Sequence, residues 1–137
     1  MQVNGQCHCG QVRYRAEIDP EKVTICHCVD CQILTGCAYR VSVMTEIENC
    51  ELLSGEIKIY IKKADSGAKR VQAFCPHCGT PLYAEALENP KIRALRVGCL
   101  AERAILPPRR QIWCRSAQPW AENISRVDPK FEGQGAV

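Results

Sequence analysis

Apolar and polar residues alternate with a period of two along much of the chain, and helical periodicity hardly occurs. This alternation is typical of half-buried strands, because successive side chains of a strand point to opposite faces. It is clearest over residues 11–17, 39–45 and 56–63. In the first of these runs Tyr14 and Ala16 share one face, which we expect to be buried.

The turn-rich residues 64–67 separate the third run from another alternating run at 69–74, and this arrangement predicts a β-hairpin. Further short strands are predicted over residues 81–85, 91–99 and 111–115. The predicted fold class is therefore mainly β, with antiparallel strands.

One short helical segment is predicted over residues 30–35, where Gly36 supplies a helix stop. The chain of 137 residues has the length of one domain. We expect that domain to cover residues 1–121 and to be followed by a peripheral C-terminal tail over 122–137.

Seven of the eleven cysteines fall into three tight clusters. These are Cys7 and Cys9; Cys26, Cys28 and Cys31; and Cys75 and Cys78. Cysteines so closely spaced can direct their sulfurs to one ion, since a tight backbone knuckle brings the side chains together. Zinc takes four such ligands in a closed structural site, or three and an open position in a reactive one. Seven ligands thus predict two zinc ions per chain, one closed and one open.

Disulfide bonding is the other common use of many cysteines, and the setting of the chain argues against it. The N-terminal residues have no basic segment, no apolar segment and no small-residue cleavage site, so we expect a cytoplasmic protein. Cytoplasmic thiols stay reduced, and clustered cysteines there are typical of metal binding or catalysis.

The formal net charge of +3 counts the cysteines as neutral, and seven thiolates with two zinc ions would bring it near zero. The basic residues occur as short pairs without interleaved aromatic residues, so no nucleic-acid partner is expected. No apolar stretch approaches the roughly 20 residues that a membrane helix needs, so no membrane partner is expected.

Glycine follows the second cysteine of two clusters, as Cys9-Gly10 and Cys78-Gly79. A residue after a metal knuckle often needs a positive φ angle, which glycine adopts without a Cβ clash. The two pairs therefore resemble matching knuckles that one ion would join. We assign Cys7, Cys9, Cys75 and Cys78 to the closed structural zinc, which would clip the first strands to the later hairpin.

Cys26, Cys28 and Cys31 then hold the second zinc without a fourth cysteine nearby. His27 lies between two of these ligands, where its side chain is expected to point away. His8 and His77 occupy the same kind of position in their own knuckles. The isolated cysteines Cys37, Cys50, Cys99 and Cys114 are also candidates, although Cys99 and Cys114 lie in strand-like runs that suit small buried hydrophobes. The preferred interpretation is three protein ligands and an exchangeable fourth position.

Three thiolates around Zn²⁺ carry a net charge of −1, which makes the centre a weaker Lewis acid than a three-histidine zinc. Such a centre suits an incoming thiol, which it would keep deprotonated yet nucleophilic. The residues alone therefore predict thiol capture or thiol transfer.

The three clusters in their sequence context resemble the glutathione-dependent formaldehyde-activating enzyme family, also called centromere-protein-V-like. The matching stretches are residues 5–14, residues 26–31 with Gly36, residues 74–83, and the ending from Ile112 to Trp120. The resemblance implies a β-tent fold shared with a small Rab-accessory protein and methionine-sulfoxide reductase B. It also implies the same division of the cysteine ligands.

The activity that the resemblance implies is that of a carbon–sulfur lyase, which condenses glutathione with formaldehyde to S-(hydroxymethyl)glutathione. Glutathione and a small electrophile would then be the partners, with the chemistry at the second zinc. The alternative is a non-catalytic, zinc-stabilised binding module in which both zinc ions are structural. An iron site with four cysteines would need two Cys-x-x-Cys knuckles, and in the closed site only Cys75-x-x-Cys78 has that spacing.

Overall fold

The strands of the chain form two β-sheets, which a computed structural model describes over residues 1–135. The strands are β1 (Gln2–Gln6), β2 (Arg13–Glu17), β3 (Thr24–Cys26), β4 (Arg40–Glu46), β5 (Cys50–Ser54), β6 (Lys58–Lys63), β7 (Lys69–Phe74), β8 (Pro81–Ala86), β9 (Ile92–Arg96) and β10 (Arg110–Ile112). The α-helix α1 spans Val29–Thr35, and several short 3-10 turns connect the strands.

The smaller sheet has the strand order β1-β2-β5, and the larger has the order β10-β3-β4-β9-β8-β7-β6. Every pair of neighbouring strands is antiparallel except β10 and β3, which are parallel. A parallel pair requires a long crossover connection, and here all of β4 to β9 lies between the two strands. The predicted mainly β, antiparallel class is confirmed.

One apolar core fills the space between the two sheets. The smaller sheet contributes Val3, Tyr14 and Ala16, and the larger contributes Val43 and Leu95. Tyr14 and Ala16 are almost completely buried while their neighbours along β2 are exposed, so the predicted alternation of this strand is confirmed. The opposite face of the larger sheet bears the alternate residues of its strands and is polar around β4 and β9.

The predicted hairpin is β6 with β7, and α1 ends at Gly36 as expected, with a φ of 62°. The strand predicted over 91–99 ends early, because Val97–Cys99 forms a 3-10 turn. The run 111–115 likewise ends in the turn Cys114–Ser116.

The predicted tail 122–137 begins within a run of exposed 3-10 turns, Pro119–Arg126, and its last two residues lie outside the described part of the chain. Over residues 1–135, the structure contains no helix with both the length and the apolar character needed to cross a membrane.

Candidate metal centres

Four cysteines from two distant loops meet at one point between the sheets. Cys7 and Cys9 lie in the loop from β1 to β2, and Cys75 and Cys78 lie in the loop from β7 to β8. Their four sulfurs lie within 4.8 Å of one another. We call this set the four-cysteine cluster, and it joins the smaller sheet to the larger one.

The two loops of the four-cysteine cluster have the same backbone design. The N–H of Cys7 donates to the carbonyl of Val12, and the N–H of Cys75 donates to that of Thr80, each at 3.0 Å. The glycines that follow the second cysteines, Gly10 and Gly79, have φ angles of 79° and 71°. The predicted need for a positive φ after each knuckle is confirmed, and it is met by the residue that adopts it without strain.

The spacing of the sulfurs fits a tetrahedral metal ion. Four sulfurs bound to zinc at about 2.3 Å would lie about 3.8 Å from one another. The sulfurs of Cys7 and Cys9 are 3.5 Å apart, and those of Cys9 and Cys75 are 3.8 Å apart. The backbone N–H of Val12 also donates to the sulfur of Cys7 at 3.2 Å, and this hydrogen bond favours the thiolate form. The donor set therefore fits a closed metal site.

The thiols of the four-cysteine cluster differ in acidity because of their hydrogen bonds and their close spacing. The hydroxyl of Thr80, 3.1 Å from the sulfur of Cys78, is the main cause that lowers the pKa of Cys78 to about 5. The N–H of Gln11 lowers the pKa of Cys9, but desolvation and the neighbouring thiols outweigh it and raise that pKa to about 12. Several thiolates cannot coexist at this distance without a positive charge between them.

The second candidate centre is local to one turn of the chain. Cys26 is the last residue of β3, Cys28 is the N-cap of α1, and Cys31 lies in the first helical turn. Their three sulfurs lie within 4.8 Å of one another, and each residue is half-buried. The N–H of Cys31 donates to the sulfur of Cys28 at 3.4 Å, which orients that side chain at the helix end. We call this set the three-cysteine cluster.

The thiols of the three-cysteine cluster influence one another's acidity. The proximity of Cys26 and Cys31 is the main cause that lowers the pKa of Cys26 and raises the pKa of Cys31, and burial raises both. The positive charge of Arg40 acts in the opposite direction on Cys31 and favours its thiolate. A bound cation would favour the thiolate of all three residues.

His27 is buried but does not join the sulfurs of the three-cysteine cluster. Its Nε2 lies 2.7 Å from Oε1 of Gln111, and its ring meets the ring of Tyr39 edge-on. The side chain thus points away from the thiols, as the sequence predicted. Gln32 of α1 donates to the carbonyls of His27 and Ser116, which ties the helix to the segment after β10.

The isolated cysteines contribute no fourth sulfur to the three-cysteine cluster within residues 1–135. Cys99 and Cys50 are half-buried and pack against the core. The expectation that Cys114 is a buried hydrophobe is wrong, because it lies exposed in the turn after β10. Cys37 is exposed as well, and all eleven cysteines are free of disulfide bonds.

Two buried arginines that the sequence analysis did not single out lie beside the three-cysteine cluster. Arg40 and Arg96, here called the arginine pair, are only 6% and 7% exposed. Burial, with the neighbouring charge of Arg40, lowers the pKa of Arg96 to about 9. The available signal was the alternation of β4, which places Arg40 and Ser42 together on the face away from the core. A basic residue on a polar strand face is ordinarily solvated, so the pattern did not indicate burial.

The structure also contains a groove of about 490 Å³, but it lies beside the four-cysteine cluster. Its lining includes Tyr14, Cys7 and Cys99, and none of the residues of the three-cysteine cluster. This groove therefore does not lead to the three half-buried cysteines.

Comparisons with known proteins identify a matching sequence family and a structure of similar fold. A sequence family described as glutathione-dependent formaldehyde-activating enzyme matches residues 2–116, which include all seven clustered cysteines. A crystal structure of a Rhodobacter sphaeroides protein is similar in fold, with a TM-score of 0.61 and 19% sequence identity. That similarity covers 81% of this chain and 99% of the other. No curated protein matches the sequence.

Proposed function

The chain belongs to the glutathione-dependent formaldehyde-activating enzyme family, and on that premise we propose that it binds a small thiol at a zinc ion and adds the thiol to a small aldehyde. Cys26, Cys28 and Cys31 would hold this zinc, glutathione would be the thiol, and formaldehyde would be the aldehyde. The reaction belongs to the carbon–sulfur lyase class and would take place in the cytoplasm. The observation that supports the proposal most is a cluster of three thiols that no fourth His, Cys, Asp or Glu side chain of residues 1–135 joins.

The residues of the three-cysteine cluster are suited to this task by their position. A zinc ion held by three thiolates would supply a position at which a thiol loses its proton near neutral pH yet stays nucleophilic. The end of β3 and the first turn of α1 fix the three sulfurs on rigid elements. Their partial exposure leaves them within reach of a small molecule from solvent.

The chemistry requires one bond to form and one proton to be relocated. The sulfur of the incoming thiol attacks the aldehyde carbon, and a carbon–sulfur bond forms. The electron pair of the carbonyl group moves to its oxygen, which takes up a proton to give the hydroxymethyl group. The thiol gives up its own proton on binding, so the overall addition neither consumes nor releases protons.

The four-cysteine cluster would hold a second, structural zinc ion. Four sulfurs complete a tetrahedral shell and leave no position for a substrate. Cys7 and Cys75 are buried, and the cluster joins the loops of two different sheets. Its role would be to stabilise the fold that presents the three-cysteine cluster.

A non-catalytic binding module with two structural zinc ions is the second candidate. Two observations favour it: the groove lies away from the three-cysteine cluster, and the edge strand β6 exposes apolar side chains. Those side chains are Ile59, Tyr60 and Ile61, each close to half exposed. Exposed apolar surface of this kind is common where proteins meet.

Cobalt substitution distinguishes the two candidates. With Co²⁺ in place of zinc, titration with glutathione should intensify the sulfur charge-transfer bands of the three-cysteine centre as a fourth sulfur joins it. The bands of the four-cysteine centre should not change. Cys28→Ser should abolish the response, and Cys114→Ser, which alters an exposed and isolated thiol, should retain it. A flat titration with glutathione and with several other small thiols would rule out the thiol-transfer proposal and favour the binding module.

A further inference from the structure

The arginine pair is held in a fixed arrangement on the polar face of the larger sheet. Nη1 of Arg40 and Nη2 of Arg96 donate to the same oxygen, Oε1 of Gln72, at 3.0 and 3.1 Å. Nη1 of Arg96 also donates to the hydroxyl of Ser42 at 2.8 Å. The Nε atom of each arginine is buried and has no hydrogen-bond partner. The two guanidinium groups are therefore close together, with donor capacity left unused.

No carboxylate within residues 1–135 neutralises the arginine pair by an ion pair. The contrast with Arg93 is direct, because Nε of Arg93 lies 2.8 Å from the carboxylate of Glu85. Asp30, the one acidic residue of α1, is paired with Lys62. Burying two like charges without a counter-charge is strongly unfavourable, so the protein must supply negative charge in another form.

The three-cysteine cluster would supply negative charge beside the arginine pair once it holds a metal ion as three thiolates. Arg40 lies directly opposite Cys26 in the register of β3 and β4, and the side chains of such cross-strand partners are neighbours. Cys31 lies within electrostatic range of both arginines. Three thiolates and a divalent cation carry a charge of −1, and an anionic fourth ligand makes it −2. Two arginines would balance that charge completely.

We propose that the arginine pair is the counter-charge of the three-cysteine metal centre and makes its open position prefer an anionic fourth ligand to a neutral one. The inference rests on the proposed function, since it identifies the residues that favour a thiolate at that position. Arg40 and Arg96 act through the electrostatic potential and need not touch the ligand, so they are specificity-determining residues and not catalytic ones.

The test compares three variants of the cobalt-loaded protein. Arg96→Met removes the charge at similar side-chain length, Arg96→Lys keeps the charge, and Arg15→Gln removes an exposed charge that pairs with Glu51 at the surface. The probes are 2-mercaptoethanol, which binds as a thiolate and has no carboxylate, and imidazole, which binds as a neutral ligand. Arg96→Met should lower the affinity of the cobalt centre for 2-mercaptoethanol by at least about tenfold, and its affinity for imidazole by less than about twofold. Arg96→Lys should recover most of the loss, and Arg15→Gln should match the wild type.

Two results would overturn the proposal. If the affinities for 2-mercaptoethanol and for imidazole fell by the same factor, the arginine pair would have a structural role only. If only the affinity for 3-mercaptopropionate, tested in parallel, fell, the arginine pair would instead be a binding site for the carboxylate of the substrate. If Arg96→Met does not fold, Arg40→Met provides the same comparison.

The experiment also separates this inference from the proposed function. If the wild type binds no thiol at all, the proposed function fails, but the affinity of the three-cysteine centre for Co²⁺ still tests the arginine pair. That affinity should fall in Arg96→Met and recover in Arg96→Lys, because the three thiolates alone already carry excess negative charge. Equal Co²⁺ affinities in the wild type and both variants would refute the counter-charge role.

Discussion

Replacing Cys78 with serine should leave the four-cysteine cluster with an incomplete metal shell, weaken the link between the two sheets and destabilise the whole domain. The sulfurs of Cys9 and Cys75 are 66 residues apart in sequence, so an ion that binds both closes a long loop. For a cross-link of that length, the loss of chain entropy in the unfolded state stabilises the fold by about 4 kcal/mol. A domain of this size is stable by only about 5–15 kcal/mol in total. Loss of the link should therefore lower the melting temperature by about 15 °C or prevent folding altogether.

The measurement is thermal unfolding followed by circular dichroism, together with the zinc content of each purified variant. Cys28→Ser is the informative comparison, because the three-cysteine cluster lies within one turn of the chain and closes no long loop. This variant should keep its fold and lose its second metal ion more readily to a chelator. Cys114→Ser changes an exposed thiol outside both clusters and should behave as the wild type.

A soluble Cys78→Ser protein that melts cooperatively at the temperature of the wild type would refute the structural role of the four-cysteine cluster. If Cys28→Ser unfolded as severely as Cys78→Ser, the second ion would also be structural. The binding-module function would then be favoured over thiol transfer.

Two further predictions concern residues outside the metal centres. Gly5→Ala should lower the free energy of unfolding by about 1–3 kcal/mol, measured by urea unfolding, because the added Cβ would lie 2.0 Å from the ring of Tyr14. Gly98→Ala serves as the control, since a Cβ at that position meets no atom within 4 Å. Equal stability of the two variants would contradict this reasoning. At about pH 8, Cys99 should react with iodoacetamide more slowly than the exposed Cys114. The thiolate is the reactive form, and burial raises the pKa of Cys99 to about 11. Mass spectrometry of the alkylated peptides would show the difference, and equal rates would exclude a protonated Cys99.

Strands with strong alternation were predictable from the sequence, and weakly patterned ones were not. β2 and β4 follow their predicted runs closely, because one face of each is buried in the core. β1, β3 and β5 were missed. In β1 only Val3 and Gly5 are buried, and in β5 every residue after Cys50 is exposed. β1 and β5 form because they pair with β2, and β3 forms because it pairs with β4. Strand pairing is a tertiary effect that overrides a weak local pattern.

The sequence by itself determined the local geometry of both cysteine clusters. The spacing Cys26-x-Cys28-x-x-Cys31 allows three sulfurs to meet through the turn into α1. The glycines after the two knuckles likewise indicated the backbone conformation there, because few residues other than glycine adopt a positive φ without strain. Such features depend only on covalent geometry over a few residues.

The tertiary structure alone decided which distant groups share an environment. Arg40 and Arg96 are neighbours because β4 pairs with β9, and Arg40 lies opposite Cys26 because β3 pairs with β4. Neither pairing has a signal within the residues that it joins. Burial and charge balance depend on every strand that packs around a side chain, so a basic residue on a polar strand face looks the same in sequence whether it is solvated or buried beside a metal centre.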